Sequence, residues 1–275
     1  MSRVWFVTGS STGLGRVLCE ELLEQGEQVV ATARKPSDVA DLAGEHCLTA
    51  ALDVLEPDQI EAAVAAATER FGRIDVLVNN AGYGEMGAIE DFSDARARAQ
   101  FDTNVFGVLN VQRAVLPVMR AQGSGHVLNI SSIAGLASFP MAGIYCASKH
   151  ALEAISEALA QEIADFGIRV TLVEPGRFRT DFAGRSLGMP ERAGEAYAEA
   201  TAGYDERRKE LHGSQAGDPR KAAQAMLGVV AAESPPLRLL LGPDAHEWAE
   251  TKLKQLSDDI RASRDVGLAT DFDEP

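Results

Sequence analysis

The chain has 275 residues, 45% hydrophobic and 24% charged, enough to bury a core of its own and too apolar for a disordered or fibrous protein. Its 41 acidic against 26 basic residues leave a net charge of −15, which repels nucleic acid and anionic membranes. Cys19, Cys47 and Cys146 are odd in number and form no CxxC; with no signal-like start and no 18-residue apolar run, they lead us to expect a reduced, cytoplasmic protein outside the membrane.

Short apolar runs alternate with longer helical patterns along the chain. VWFVT leads into a helix over Leu14 to Gln25, QVVATA follows, and LTAALD leads into a helix over Gln59 to Phe71. IDVLVNNA precedes a long helical segment over about 93–122, HVLNISS a helix over about 142–166, and IRVTLVEP a helix near 219–232. LRLLLG closes the series. Seven such runs, apolar throughout, are what a sheet buried on both faces requires. The predicted fold is α/β: a doubly wound, seven-stranded, mostly parallel sheet with helices on both faces, in one domain over 1–245. The polar, Gly/Ala/Glu/Arg-rich stretch 182–217 reads as a substrate lid or a surface insertion. Residues 246–275 read as a helical extension ending in an acidic tail, DFDEP.

The first strand runs into Thr8-Gly9-Ser10-Ser11-Thr12-Gly13-Leu14-Gly15 and then a helix. Glycines at such a junction allow a tight turn and close approach of a pyrophosphate to the positive end of the helix, so Gly9, Ser11, Thr12, Gly13, Leu14 and Gly15 are candidate dinucleotide ligands. The second strand ends in Arg34-Lys35, with no carboxylate to bond a ribose 2′-hydroxyl. A cation there favours a 2′-phosphate, hence NADP(H) over NAD(H). Asn79, Asn80, Ala81 and Gly82 end the fourth strand, Ser131 and Ser132 the fifth, and Pro175 and Gly176 the sixth, with Thr180 just beyond. Carboxyl ends of parallel strands converge on one crevice. Tyr145 and Lys149, at i and i+4, share one helix face. Alone, that pair reads equally well as a buried tyrosine with a lysine passing it.

Together, TGxxxGxG over Thr8–Gly15, NNAG over Asn79–Gly82, Ser132, the YxxxK of Tyr145 and Lys149, and Pro175-Gly176 resemble the short-chain dehydrogenase/reductase family, from Thr8 to about Gly242. NNAGYG and EPGRFRTDF look most like its 17β-hydroxysteroid-dehydrogenase-like branch. The resemblance implies a Rossmann-type fold, an adenine contact at Asp53 with Val54 beside it, an active-site Asn104 holding a water that leads from Lys149 to solvent, and a nicotinamide carboxamide contact at Thr180. It also implies association into a homodimer or homotetramer, for which Val105, Val108, Val111 and Leu159 look like surplus apolar positions. No catalytic position departs from the family pattern.

Hydride delivery to a carbonyl builds negative charge on oxygen, so the reaction needs a proton donor and an oxyanion partner. Tyr145 is the candidate acid, Ser132 the candidate substrate hydrogen-bond partner, and Lys149 the cation expected to lower the tyrosine pKa. The expected walls, Tyr83–Met86, Ile133–Met141 and a lid from Arg177 to Tyr204, are mostly apolar, which suits a small hydrophobic carbonyl or alcohol substrate. The five histidines are scattered, so no metal site is expected. Two alternatives stay open: an NAD-linked alcohol dehydrogenase working oxidatively, and a non-catalytic dinucleotide sensor on the same fold; sugar epimerases and dehydratases, which use a different glycine spacing and a larger substrate domain, rank last.

Overall fold

The computed structural model describes residues 2–184, 186–189 and 194–272. Residues 185 and 190–193 of the expected lid, and Asp273–Pro275 of the acidic tail, lie outside them.

β1 (Val4–Val7) is buried at every position and runs into α1 (Gly13–Glu24), after which β2 (Gln28–Ala33) and β3 (Cys47–Ala51) follow. α2 (Pro57–Phe71) starts on a proline at its first position and stops at Gly72, whose φ of +77° is left-handed and accessible to glycine at little cost. β4 (Val76–Asn79) is followed by the two-residue β5 (Gly84–Glu85). The expected long helix is divided into α3 (Asp94–Phe101), a π-helical turn over Asp102–Phe106, and α4 (Gly107–Gln122). β6 (Gly125–Ile130), α5 (Gly143–Glu162) and β7 (Ile168–Pro175) come next.

Within the expected lid lie β8 (Leu187–Gly188) and α6 (Ala198–Leu211). β8 pairs with β5, tying the lid to the segment after β4. α7 (Pro219–Ala231) and β9 (Arg238–Leu241) complete the sheet, and α8 (Pro243–Ala262) with α9 (Arg264–Leu268) ends the chain. α8 begins before the expected boundary at residue 246, because Ala245 and Ala249 are buried against Ile133 and Leu240. Its first turns thus belong to the body of the protein.

The main sheet has the order β3-β2-β1-β4-β6-β7-β9, and every pairing in it is parallel. Side chains alternate across it: Trp5 and Val7 face α1 and α7, with Leu18, Leu22 and Met226, while Val4 and Phe6 face α2 and α4, with Ile60, Val111, Val115 and Met119. Each such fully buried large apolar side chain is worth about 1.5–3 kcal/mol. Val105, Val108 and Val111 are themselves buried, and Leu159 packs, half-buried, on the core that holds Val111. The three valines are therefore not surplus faces for association. The order reverses between β1 and β4, and their carboxyl ends open the crevice.

Candidate active site

The turn after β1 is locked to the end of β4. Thr8 Oγ1 accepts from the Asn80 and Ala81 amides at 3.0 Å each, and Asn80 Nδ2 donates to the Thr8 and Gly9 carbonyls at 2.9 Å each. Gly9 has φ +67°, and a Cβ there would stand 2.9 Å from Ala81 Cα; at Gly15 a Cβ would meet Asn80 Nδ2 at 2.3 Å. Both glycines are needed for backbone approach. Gly13 differs: its φ is +63°, but the space its side chain would fill is open, with only the Thr180 Cβ at 4.0 Å. Thr12 precedes α1 without capping it, and no acidic residue occupies the first turn. The free amides and positive end of α1 therefore face the opening, a cradle that fits the diphosphate of a dinucleotide.

From this cradle a cleft of about 800 Å³ runs along the carboxyl edge of the sheet. Its lining includes Gly9, Ser11, Thr12, Gly13, Leu14, Arg34, Asp53, Val54, Asn80, Ala81, Gly82, Ser132, Tyr145, Lys149, Pro175, Gly176 and Thr180. Gly15, Lys35 and Asn104 are not part of that lining. Gly15 lies beneath the turn, Lys35 is exposed at the start of the next short turn, and Asn104 sits behind Gly82, where a Cβ would come within 3.1 Å of its Oδ1. Arg34 is exposed at the end of β2 and has no ion pair among the described residues.

Tyr145 and Lys149 project from the first turns of α5 and are 8% and 7% exposed. Burial pushes the Tyr145 phenol up to about 12, and its hydrogen bond with Ser132 pulls against that rise. Burial pushes Lys149 down to about 8, with Glu153 opposing. The ammonium donates to the Ile130 carbonyl at 2.7 Å and lies 5.9 Å from the Tyr145 ring centre. The expected lowering of the tyrosine pKa is thus not found: desolvation dominates, and the lysine donates to the Ile130 carbonyl. Ser132 is placed by the end of β6, its Oγ accepting from the Ala134 amide at 3.1 Å.

Asn104 comes from the π-helical turn. Its Nδ2 donates to the Tyr83 carbonyl at 2.9 Å and to Ser148 Oγ at 3.1 Å, and its Oδ1 accepts from the Tyr83 amide at 3.1 Å. Both amide hydrogens are committed to protein, so the side chain tethers the loop after β4 to α5. One turn beyond Lys149, Glu153 meets the wholly buried Glu174 and Arg238, whose Nη2 is 3.1 Å from Glu153 Oε2 and whose Nε is 3.1 Å from Glu174 Oε1. Burial and the Glu153 charge push Glu174 up to about 8, so at neutral pH it keeps its proton.

Around Tyr145 the cleft includes an apolar chamber. Met86, Ala134, Ala142, Phe139, Phe182 and Leu187 pack together around it, and the Tyr145 and Phe182 rings stand 5.9 Å apart. Leu136, packed on Ala245, belongs to the neighbouring core rather than to the chamber. Two contributors lie outside the walls expected at Tyr83–Met86, Ile133–Met141 and Arg177–Tyr204. Trp248 of α8 lines the cleft and packs edge-on against Phe139, ring centres 4.8 Å apart. Arg207, Arg208 and Leu211 of α6, inside the expected lid 182–217 but past the wall expected to end at Tyr204, line it as well; their i, i+1 and i+4 spacing, with Tyr204, was the available signal.

Among the described residues no group of three or more His, Cys, Asp or Glu side chains could hold a metal ion, and no helix is long and apolar enough to cross a membrane. His126, buried with Nε2 2.9 Å from Thr171 Oγ1, is pushed down to about 4 by burial and stays neutral.

A sequence profile described as short chain dehydrogenase matches residues 3–189. The oxidoreductase BOA17 of Botryotinia fuckeliana is 41% identical over 274 residues, covering 98% of this chain and 100% of its own. The 3-ketodihydrosphingosine reductase of Bacteroides thetaiotaomicron is 38% identical over 244 residues, 88% of each chain. Among solved structures, a short-chain dehydrogenase from Streptomyces avermitilis matches with a TM-score of 0.90 at 39% identity, covering 99% of each chain. One from Burkholderia phymatum in complex with NAD gives 0.81 at 26%, covering 100% and 97%. One from Burkholderia cenocepacia in complex with NADP gives 0.75 at 27%, covering 95% and 97%.

Proposed function

The chain belongs to the short-chain dehydrogenase family, and on that premise we propose that it is an NADP(H)-dependent carbonyl reductase, working reversibly as a secondary alcohol dehydrogenase on hydrophobic substrates. The observation that carries this reading is the position of Tyr145, which lines one cleft together with Ser132, Gly9 and Gly13 of the cradle, and Met86, Phe139 and Phe182 of the apolar chamber. Related structures hold NAD in one case and NADP in another, so Arg34 decides the preference. A guanidinium at the end of β2 complements a 2′-phosphate.

The nicotinamide, when bound, supplies the hydride that adds to the carbonyl carbon. Tyr145 donates its proton to the carbonyl oxygen, and the Ser132 hydroxyl holds that oxygen while charge builds on it. A phenol held near pKa 12 keeps its proton at neutral pH and so stays competent as the acid. Lys149 steadies the phenolate once the proton has left. Asn104 acts through geometry, fixing the Tyr83 loop against α5. Met86, Phe139 and Phe182 exclude water from the reacting carbonyl. Gly9, Ser11, Thr12, Gly13 and Leu14 hold the diphosphate, Asp53 and Val54 the adenine side, and Pro175, Gly176 and Thr180 the nicotinamide side. We read the segment 182–217 as the lid, the chain as cytoplasmic and of the 17β-hydroxysteroid-dehydrogenase-like branch, and the assembly as a homo-oligomer.

Fluorescence titration with NADPH and NADH, followed by ketone-dependent NADPH oxidation, tests the assignment. We expect tighter NADPH binding that Arg34→Ala erases, and turnover that Tyr145→Phe abolishes. Equal or tighter NADH binding points to the oxidative NAD enzyme; binding without turnover on any ketone or alcohol points to a sensor.

A further inference from the structure

α6 turns one face to the cleft. Tyr204, Arg207, Arg208 and Leu211, at i, i+3, i+4 and i+7, all line it, and Arg177 lines it from the loop after β7. Tyr204 reaches into the apolar chamber beside Tyr145. Burial raises its phenol pKa, and the charges of Arg177, Arg208 and Arg207, which line the same cleft, oppose that rise. Arg208 is held by Asp205, through Nε at 2.9 Å and Nη2 at 2.6 Å. Arg177 and Arg207 are exposed and have no side-chain ion pair among the described residues; the carboxylate of Asp244, which accepts from the Arg177 amide at 2.9 Å, lines the same cleft. In a chain of net charge −15, two cations without an ion pair thus line the cleft that holds the apolar chamber.

We propose that Arg177, Arg207 and Tyr204 bind an acidic group of the substrate, so that the carbonyl compound taken by this site carries a carboxylate or phosphate on an apolar body. The proposal rests on the reductase reading for the position of the carbonyl, at Tyr145. The body lies against Met86, Phe139, Phe182 and Leu187, and the anion's oxygens accept in pairs from planar guanidinium groups. The same corner repels an amine, which excludes cationic lipids of equal length. The diphosphate of the dinucleotide is the other anion within reach, since Arg177 precedes Thr180, the neighbour of Gly13, by three residues.

Trp248 supplies the readout, because it lines the cleft while the other tryptophan, Trp5 of β1, is buried between the sheet and α1 and α7. The full chain, saturated with NADP⁺, is titrated with decanoate, 1-decanol and decylamine while tryptophan emission is followed. Decanoate binds about tenfold tighter than 1-decanol, the gain expected of one charge-assisted pair, and decylamine binds weakest. In Arg177→Gln/Arg207→Gln the decanoate advantage disappears and 1-decanol binding is unchanged. An advantage that is absent in the wild type, or that survives in the double variant, overturns the proposal. So does a double variant that loses NADP⁺ affinity with its decanoate-to-decanol ratio intact, which assigns the arginines to the dinucleotide diphosphate. Because the readout is binding, absence of ketone turnover would sink the reductase reading and leave the anion result to be judged on its own.

Discussion

The Lys149 ammonium stands 5.9 Å from the centre of the Tyr145 ring, held off it by the 2.7 Å bond it donates to the Ile130 carbonyl. Both groups are buried, and burial drives their pKa values in opposite directions, the lysine down to about 8 and the tyrosine up to about 12. Folded Lys149 releases its proton near pH 8, against 10.5 for the unperturbed group. Between those values the unfolded chain binds more protons, so stability rises with pH; below about pH 8 the buried ammonium costs the fold roughly 3 kcal/mol. Urea unfolding at pH 7.5 and 9.5 should show that rise in the wild type and lose it in Lys149→Met. An identical rise in the variant would assign it to other groups.

Tyr145→Phe removes the proton donor and keeps the ring that packs on Phe182. We expect kcat for ketone reduction to fall by about 10²–10⁴ with the Kd for NADPH changed less than about twofold. Ser132→Ala, which removes one donor to the developing oxyanion, should cost about 10²–10³. A Tyr145→Phe enzyme with more than about a tenth of wild-type kcat would show that the proton comes from elsewhere.

Glu174 makes an opposite pH prediction. Its folded pKa, pushed up to about 8 by burial and by Glu153, exceeds the unperturbed 4.5. Between these values the folded chain holds the extra proton, so this group favours the fold at acid pH and its contribution fades as pH rises toward 8. Glu174→Gln mimics the protonated form and should flatten stability between pH 5 and 8. If chemical denaturation gives parallel pH profiles for variant and wild type, the shared proton is not on this pair.

Much of this site is visible in the linear chain because its chemistry is local. The i, i+4 spacing of Tyr145 and Lys149 places both on one face of α5, and the glycines at 9, 13 and 15 mark a turn whatever surrounds it. Strands buried on both faces, such as Val4–Val7, announce themselves as apolar runs. What escaped is tertiary. The π-helical turn that sets Asn104 has no local marker, and it divides what reads as one helix. Val105, Val108 and Val111 read as surplus because one helix cannot show how much of its circumference the rest of the fold will bury; Val111, for one, is covered by the sheet and α2. Lys35 shares a charge pair with Arg34 in sequence, but the chain turns after Arg34 and carries it away from the cleft.

Arg34→Ala probes the one charge that separates the two dinucleotides. The guanidinium is exposed, so its bond to a 2′-phosphate is partly screened, and its loss should weaken NADPH by about 10–30-fold, or 1.4–2 kcal/mol. NADH binding should change less than about twofold. The NADPH affinity of the wild type should also fall with added salt more steeply than that of the variant. Equal losses for both dinucleotides would mean that Arg34 supports the adenine pocket by packing rather than reading the phosphate.

Trp248 belongs to a helix that the family motifs do not include, yet its ring closes the chamber edge-on against Phe139 at 4.8 Å. It is 43% exposed, so its removal should cost the fold under about 1 kcal/mol, while a lost edge-to-face wall is worth about 0.5–1.5 kcal/mol to whatever packs there. Trp248→Ala should therefore raise KM for a hydrophobic ketone about 3–10-fold and leave kcat within about twofold, as expected for uniform binding. The opposite split, kcat lowered at constant KM, would mean that α8 acts through the loop from Ser132 to Phe139, ordering the serine that holds the carbonyl oxygen. Trp248→Phe separates the two cases, since a phenyl ring restores a wall but fills less of the space over that loop.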